Sequence, residues 1–493
     1  MNAPRRIAIA TAAAAVTLAL LWQGAAGAAD LPPEQAALHV LNRLAYGPRP
    51  GDIERVSQMG VQRYIDSQLH PETIPMPAAL TARLDALETV RQPTGATLAQ
   101  FLAVREMARD EGEEAKARRR AVVVNMAEQA AEARLARAVD SPRQLEEVMV
   151  DFWFNHFNVF AGKGLDRALV AGYERDAIRP YALGSFRELL GATAHHPAML
   201  FYLDNWLSTA DGYLPRGRPD AKAKAAGLNE NYARELMELH TLGVDGGYSQ
   251  HDVRELARML TGWTFNPRAL AQRNQGFLFD ARRHDRGDKQ WLGRTVHGGG
   301  QDGGAGEGEY ALDVLAMHPA TAHHISYELA QYFVQDAPPP ALVERMARSY
   351  LDSKGDIRTV LATLFHSAEF MAPQAQGAKF KTPYQFVVSA ARAGSAPLAE
   401  VKPVLGALNR LGMPLYGCQT PDGYKNTEAA WLNPDALSRR IAYAAAMGRE
   451  LDAGALQATL GGTVSDRTRG AVAASPAQLR AAMLLGGPDF MQR

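Results

Sequence analysis

Cysteine is all but missing. Cys418 is the one thiol in 493 residues, so no intramolecular disulfide can form and stability must come from a buried core. A chain of this length has ample capacity for one. Cys418 itself reads as a small buried or loop residue rather than a nucleophile. Net charge is missing too: 53 basic residues balance 53 acidic ones. That excludes a nucleic-acid binder working through a broad basic field, though not a local charged cleft. Three short catalytic signatures are absent: there is no His-Glu-x-x-His, Gly-x-Ser-x-Gly or Walker loop. The Gly-rich run after Gly298 lacks the Lys-Ser/Thr of a phosphate loop. No apolar run beyond the first residues approaches the ~20 needed to span a bilayer.

What is present begins with an export pattern. Arg5 and Arg6 precede an apolar run over residues 7–22, and small residues follow over 24–29. This predicts a secretory signal peptide over residues 1–29, of Sec rather than twin-arginine type, with an uncleaved anchor as the alternative. Its removal leaves a periplasmic or secreted chain of residues 30–493 with no transmembrane segment.

Helical patterning dominates that chain. Apolar periodicity predicts helices over 32–45, 50–69, 98–138, 173–190, 198–207, 229–242 and 249–260, the last with Ser249 as N-cap. The mixed charge run 111–120 reads as a solvated helix face, and 209–227 as an exposed loop. Ser141-Pro142 predicts another helix start, with Ser as N-cap and Pro at the first position, running to 159. Over residues 264–310 the texture changes. Phe277 and Phe279 read as a strand, Trp291-Leu-Gly293 as its hairpin partner, and 297–308 as a mobile Gly-rich loop. The expected fold class is therefore all-α, a large multi-helix domain with a small β-ribbon insertion. One domain or two helical halves both fit.

Three segments could carry chemistry. On the 229–242 helix, Leu228, Tyr232, Leu236 and Leu239 form an apolar stripe, and Asn231, Glu235 and Glu238 an adjacent one. Glu235 borders the apolar face. Partial desolvation there, with a second carboxylate one turn on, would raise its pKa and suit it to be a general acid. Glu238 would stay ionised as base or metal ligand. The plain alternative pairs both with Arg234 or with arginines of other helices. The second segment, Asp151-Phe-Trp-Phe-Asn-His-Phe-Asn-Val-Phe160, is aromatic on every side and so predicted to be buried all round. Its polar groups Asp151, Asn155, His156 and Asn158 need partners, whether structural or across a cavity. The third is the ribbon, where His284 and Asp285 suggest acid–base or metal chemistry, or only a solvated turn.

The ordered series His39-Val-Leu-Asn-Arg-Leu-Ala-Tyr-Gly-Pro48, Phe152-Trp-Phe-Asn-His-Phe157, His196-Pro-Ala-Met-Leu-Phe-Tyr-Leu-Asp-Asn205, Asn229-Glu-Asn-Tyr-Ala-Arg-Glu-Leu-Met-Glu-Leu-His-Thr-Leu-Gly243 and Trp431-Leu-Asn433 resembles the bacterial family catalogued as domain of unknown function number 1800. Leu260-Thr-Gly-Trp263, His284-Asp285, His318-Pro-Ala-Thr-Ala322, Gly355-Asp356 and Lys381-Thr-Pro383 extend the resemblance over nearly the whole mature chain. The resemblance implies an exported protein of a family often encoded beside an exported family related to sulfatases and alkaline phosphatases. It implies no catalytic residues. Two stretches depart from the family pattern: His323-His-Ile-Ser-Tyr-Glu328 replaces a basic helix, and Asp422-Gly-Tyr-Lys-Asn426 a Gly-Trp motif.

Three function classes follow. One is a hydrolase or lyase acting on glycan or another envelope polymer, with Glu235, Glu238, His156, His284 and Asp285 as catalytic candidates. Asn231, Asn158 and the aromatic faces of Trp153, Trp263 and Trp431 would bind substrate. The second is a non-catalytic partner or assembly factor for a co-exported protein. The third is a metal enzyme built on His156, Glu235, Glu238, His240 or His284. No feature identifies a cofactor.

Overall fold

Gly60 shows how this chain is cut into helices. The computed structural model describes residues 31–107, 112–214, 227–395 and 400–493. The expected helix over 50–69 is two, Asp52–Met59 and Val61–Leu69, because Gly60 sits at φ 90°, where a helix cannot continue. The expected 98–138 helix is likewise Thr94–Met107 and Glu113–Asp140. The 173–190 helix breaks where Pro180 withholds an N–H: a π turn at Glu174–Ile178 runs into a 3-10 turn at Arg179–Tyr181. The 198–207 helix breaks at Asp204, φ 59°. Ser249 does cap the helix Gln250–Met259, in a capping box with Asp252. The paired dipeptides His196-Pro197 and His318-Pro319 also start helices. In each, the imidazole Nδ1 accepts the N–H two residues on at 3.1 Å. The signal-peptide segment and most of the 209–227 loop lie outside the described residues.

The described structure is all-α with a small β insertion. Five helices position the site: α1 (Glu113–Asp140), α2 (Gln144–His156), α3 (Asn231–Glu238), α4 (Pro319–Phe333) and α5 (Pro383–Ala393). One hydrophobic cluster runs from Ala37 to Met491, and α2 lies inside it. As its aromatic sequence predicts, α2 is buried on every face. Its start differs from expectation. The helix begins at Gln144 rather than at Pro142, because a distant side chain caps it: Gln68 accepts the Leu145 N–H at 3.1 Å. Ser141 instead accepts the Arg143 N–H in the preceding turn.

The insertion holds two ribbons rather than one. Strand β1 (Trp263–Phe265) pairs antiparallel with β2 (Phe277–Phe279), and β3 (Lys289–Trp291) with β4 (Arg294–Val296). The expected pairing of 277–279 with 291–293 is therefore wrong. Residues 291–294 make a tight turn of their own, with Leu292 at φ 49° and Gly293 at φ 72°. Two consecutive positive φ angles match the twist of a two-residue hairpin. Leu at the first position hides the signal, which normally reads Asn-Gly.

Buried charge ties the helices around α2 together. Arg134 of α1 bridges Asp151 of α2 and Glu174, and Arg179 bridges Glu147 of α2 and Glu174. The Tyr416 hydroxyl donates to Glu174 at 2.7 Å. Burial pushes the Glu174 carboxyl up, but the two arginines and this bond bring it below its ordinary value.

Candidate active site

All four polar groups of the α2 segment have partners, and those partners build a cleft. Asp151 is paired with Arg134. Asn155 exchanges two bonds with Tyr424: its amide donates to the Tyr424 carbonyl at 2.9 Å and its oxygen accepts the Tyr424 N–H at 2.7 Å. Asn158 donates to the carbonyls of Cys418 and Thr420, at 3.1 and 2.8 Å. Residues 416–426 are thus strapped across the end of α2. Gly423 fits only as glycine: its φ is 64°, and a Cβ would lie 2.3 Å from the Asn155 carbonyl. Asn158, expected at the substrate, therefore holds the strap instead. Asn158→Ala should strand two buried carbonyls and cost about 1–3 kcal/mol of stability, read as a lower denaturant midpoint; an unchanged midpoint would show the strap is held otherwise.

Between the strap, α2, α3, α4 and α5 lies a cleft of about 260 Å³, lined by His156, Glu238, His324, Glu328, Asp422 and Tyr424 among others. His156 forms its inner wall. Its Nδ1 lies 2.8 Å from Glu328 Oε2, and its Nε2 lies 3.2 Å from the His240 carbonyl. Both partners are acceptors, so both contacts are hydrogen bonds only when the ring carries two N–H groups. His324 Nε2 stands 3.7 Å from the other Glu328 oxygen. Burial lowers the His324 imidazole below its usual value. His324 also packs under Gly243, where a Cβ would come within 3.0 Å of its ring. Asp422 is paired with Lys425 at 2.8 Å.

Among the described residues, Glu235 and Glu238 form no ion pair with an arginine. Arg234 turns to Gln250 at 2.7 Å and lies 3.9 Å from Glu230. Among the described contacts Glu238 has one hydrogen bond, accepted from the Tyr248 hydroxyl at 3.4 Å, and Glu235 has none. Glu235 is half-buried on α3, three residues before the cleft-lining Glu238, and is not itself among the residues that line the cleft. Burial pushes its carboxyl above the ordinary value; the charge of Glu238 pushes it further, Arg234 pulls it back in part, and Asp422 adds a smaller push.

The other expected site residues are placed elsewhere. Trp153 is fully buried, its indole N–H donating to the Ala182 carbonyl at 2.9 Å. Trp263 is 1% exposed, with His195, Phe277 and Gly308 against its ring. Neither offers a face to a sugar, since both sides of each ring are packed. Trp431 is less enclosed: it is partly exposed, its N–H donates to the Lys425 carbonyl, and its ring lies 6.2 Å from that of Tyr424, which lines the cleft although Trp431 itself does not. Asn231 is exposed at the start of α3, outside the cleft lining. His284 and Asp285 form a clasp between the ribbons and the preceding helix. His284 contacts the Thr261 carbonyl at 2.8 Å and Glu307 at 3.1 Å, and Asp285 takes Arg258 in a bidentate pair at 2.9 and 3.1 Å. They are not part of the cleft. Among the described residues, no group of three or more His, Cys, Asp or Glu side chains is arranged to hold a metal ion.

Sequence reasoning passed over Glu328, His324, Asp422 and Tyr424 as site residues. The available signal was the pair of stretches that depart from the family pattern. Those two stretches meet at the cleft.

The sequence model of the family described as "Protein of unknown function (DUF1800)" matches residues 39–492. No curated protein and no solved structure matches the chain.

Proposed function

The chain belongs to this family of proteins of unknown function, and from the geometry of its cleft we propose that it is a carboxylate-dependent hydrolase or lyase. The observation that carries the reading is Glu235: a half-buried carboxyl with no ion pair among the described contacts, raised by burial and by the charges of Glu238 and Asp422 against the opposing pull of Arg234, and three residues before Glu238, which lines the cleft. A carboxyl held protonated there can give its proton to a leaving oxygen. The partly exposed Trp431 ring beside Tyr424 supplies a flat apolar face of the kind sugar rings stack on. The substrate class is therefore a glycan or glycan-bearing envelope polymer. The Arg5-Arg6 and apolar pattern at the start of the sequence supports export, and with it an activity outside the cytoplasm.

The test is to incubate purified chain with a panel of envelope and extracellular polysaccharides. New reducing ends would mark hydrolysis, and unsaturated ends elimination. Cleavage that wild type performs and Glu235→Gln does not is the expected result. Cleavage by both at equal rates would remove Glu235 from the chemistry.

A further inference from the structure

A protonated acid at Glu235 needs an ionised carboxylate to work against, and Glu238 is the neighbour the helix pattern offers. Glu238 is poorly placed for that task. It lies three residues from Glu235 on the same stripe of α3, so it would meet a substrate from the same side as the acid. No cation pairs with it among the described contacts; the Tyr248 hydroxyl at 3.4 Å is its hydrogen bond. Its visible effect is on Glu235, whose protonated form its charge favours.

We propose that Glu328 of α4 is the second catalytic carboxylate, and that His156 is the positioning residue that holds it. The inference rests on the acid–base reading of Glu235 given above. Glu328 comes from a different helix and lines the cleft, with about a third of its side chain (31%) open to it. One of its oxygens is fixed at 2.8 Å by His156, whose far nitrogen is itself anchored on the His240 carbonyl at 3.2 Å. The titratable groups that face Glu328 are His156 from α2, His324 from its own helix and Lys425 from the strap. Burial alone would push this carboxyl up; the pull and hydrogen bond of His156, with the further pull of His324 and Lys425, bring it below its ordinary value. Glu235 faces Glu238 and Arg234 on its own helix, Asp422 on the strap, and Tyr202. Its surroundings act in the opposite direction. Two carboxyls driven apart in this way divide into an acid and a base.

In hydrolysis, Glu235 transfers its proton to the leaving oxygen as the carbon–oxygen bond breaks. Glu328 accepts a proton from the water whose oxygen forms the new bond to that carbon. Solvent then takes the proton from Glu328 and returns one to Glu235.

Glycidol, a small polar epoxide, tests both roles without knowledge of the substrate. A carboxylate oxygen attacks an epoxide carbon, the ring carbon–oxygen bond breaks, and a nearby acid protonates the released alkoxide, leaving a dihydroxypropyl ester. The purified chain is treated with glycidol at mildly acidic pH and the ester is mapped by peptide mass spectrometry. The expected result is an ester on Glu328, formed about tenfold or more slowly in Glu235→Gln, where the proton donor is gone. An ester on Glu238 in place of Glu328, or no ester on either, overturns the assignment of Glu328. An ester on Glu328 whose rate ignores Glu235→Gln upholds Glu328 and overturns Glu235 as the acid.

Discussion

Glu235→Gln should fold as wild type does and lose activity by about 100-fold or more, the usual cost of removing a general acid. The amide keeps the shape of the side chain and removes the titrating proton. Nothing else is lost, since the carboxyl makes no hydrogen bond or ion pair among the described contacts. The pH profile carries a further sign. Glu235 is active while protonated, so activity falls as pH rises through its folded value, which burial, Glu238 and Asp422 hold above the ordinary carboxyl range. Glu238→Gln removes one of those charges and should move this alkaline limb to lower pH. Stability runs the same way. A carboxyl whose folded value is raised binds its proton more tightly in the folded state, so its ionisation destabilises the fold as pH rises through that value. Glu235→Gln is free of this effect and should melt no lower than wild type at neutral pH. A folded variant with full activity would end the assignment. A variant that cannot fold would mean the carboxylate has a structural partner that the described contacts lack.

Local sequence patterns carried the reading as far as they physically can. The α3 stripe placed Glu235 at the margin of an apolar face, because i, i+3 and i+4 spacing is a property of the helix itself. The aromatic run predicted a buried α2 for the same reason, and Ser249 announced its helix through a capping box within four residues. The parts that were not legible depend on residues far apart in the chain. Asn158 meets Cys418 and Thr420, Gln68 caps α2, and His156 meets Glu328. No periodicity encodes such meetings. Buried polar side chains say only that a partner exists; which partner is decided when the helices pack. The ribbon was misread for a related reason. β2 takes its partner from residues 263–265, at the very start of the insertion, and a two-residue turn at Leu292-Gly293 claimed the strand expected to pair with it.

Trp153→Ala should destabilise the protein by about 3–5 kcal/mol, the range for truncating a large buried aromatic. The indole is fully buried, with Phe152, His156, Phe157 and Phe186 rings packed 4.8 to 6.0 Å from its centre. Alanine would leave a cavity among side chains of α2, its C-cap Phe157 and the helix that starts at Phe186, which cannot all close in. It would also strand the Ala182 carbonyl, which now accepts the indole N–H at 2.9 Å. Trp153→Phe separates the two losses. It retains most of the volume and forfeits the hydrogen bond, so it should cost about 1 kcal/mol from the bond plus a smaller packing loss. Differential scanning calorimetry orders the three proteins: wild type highest, Phe below it, Ala far below. A Trp153→Ala protein with an unchanged Tm would show that the ring is not part of the core. The consequence reaches the cleft, because Trp153 packs edge-on against His156 at 5.4 Å. A cavity there frees the imidazole that fixes Glu328, so in Trp153→Ala the carboxylate should lose its fixed orientation even at temperatures where the chain remains folded.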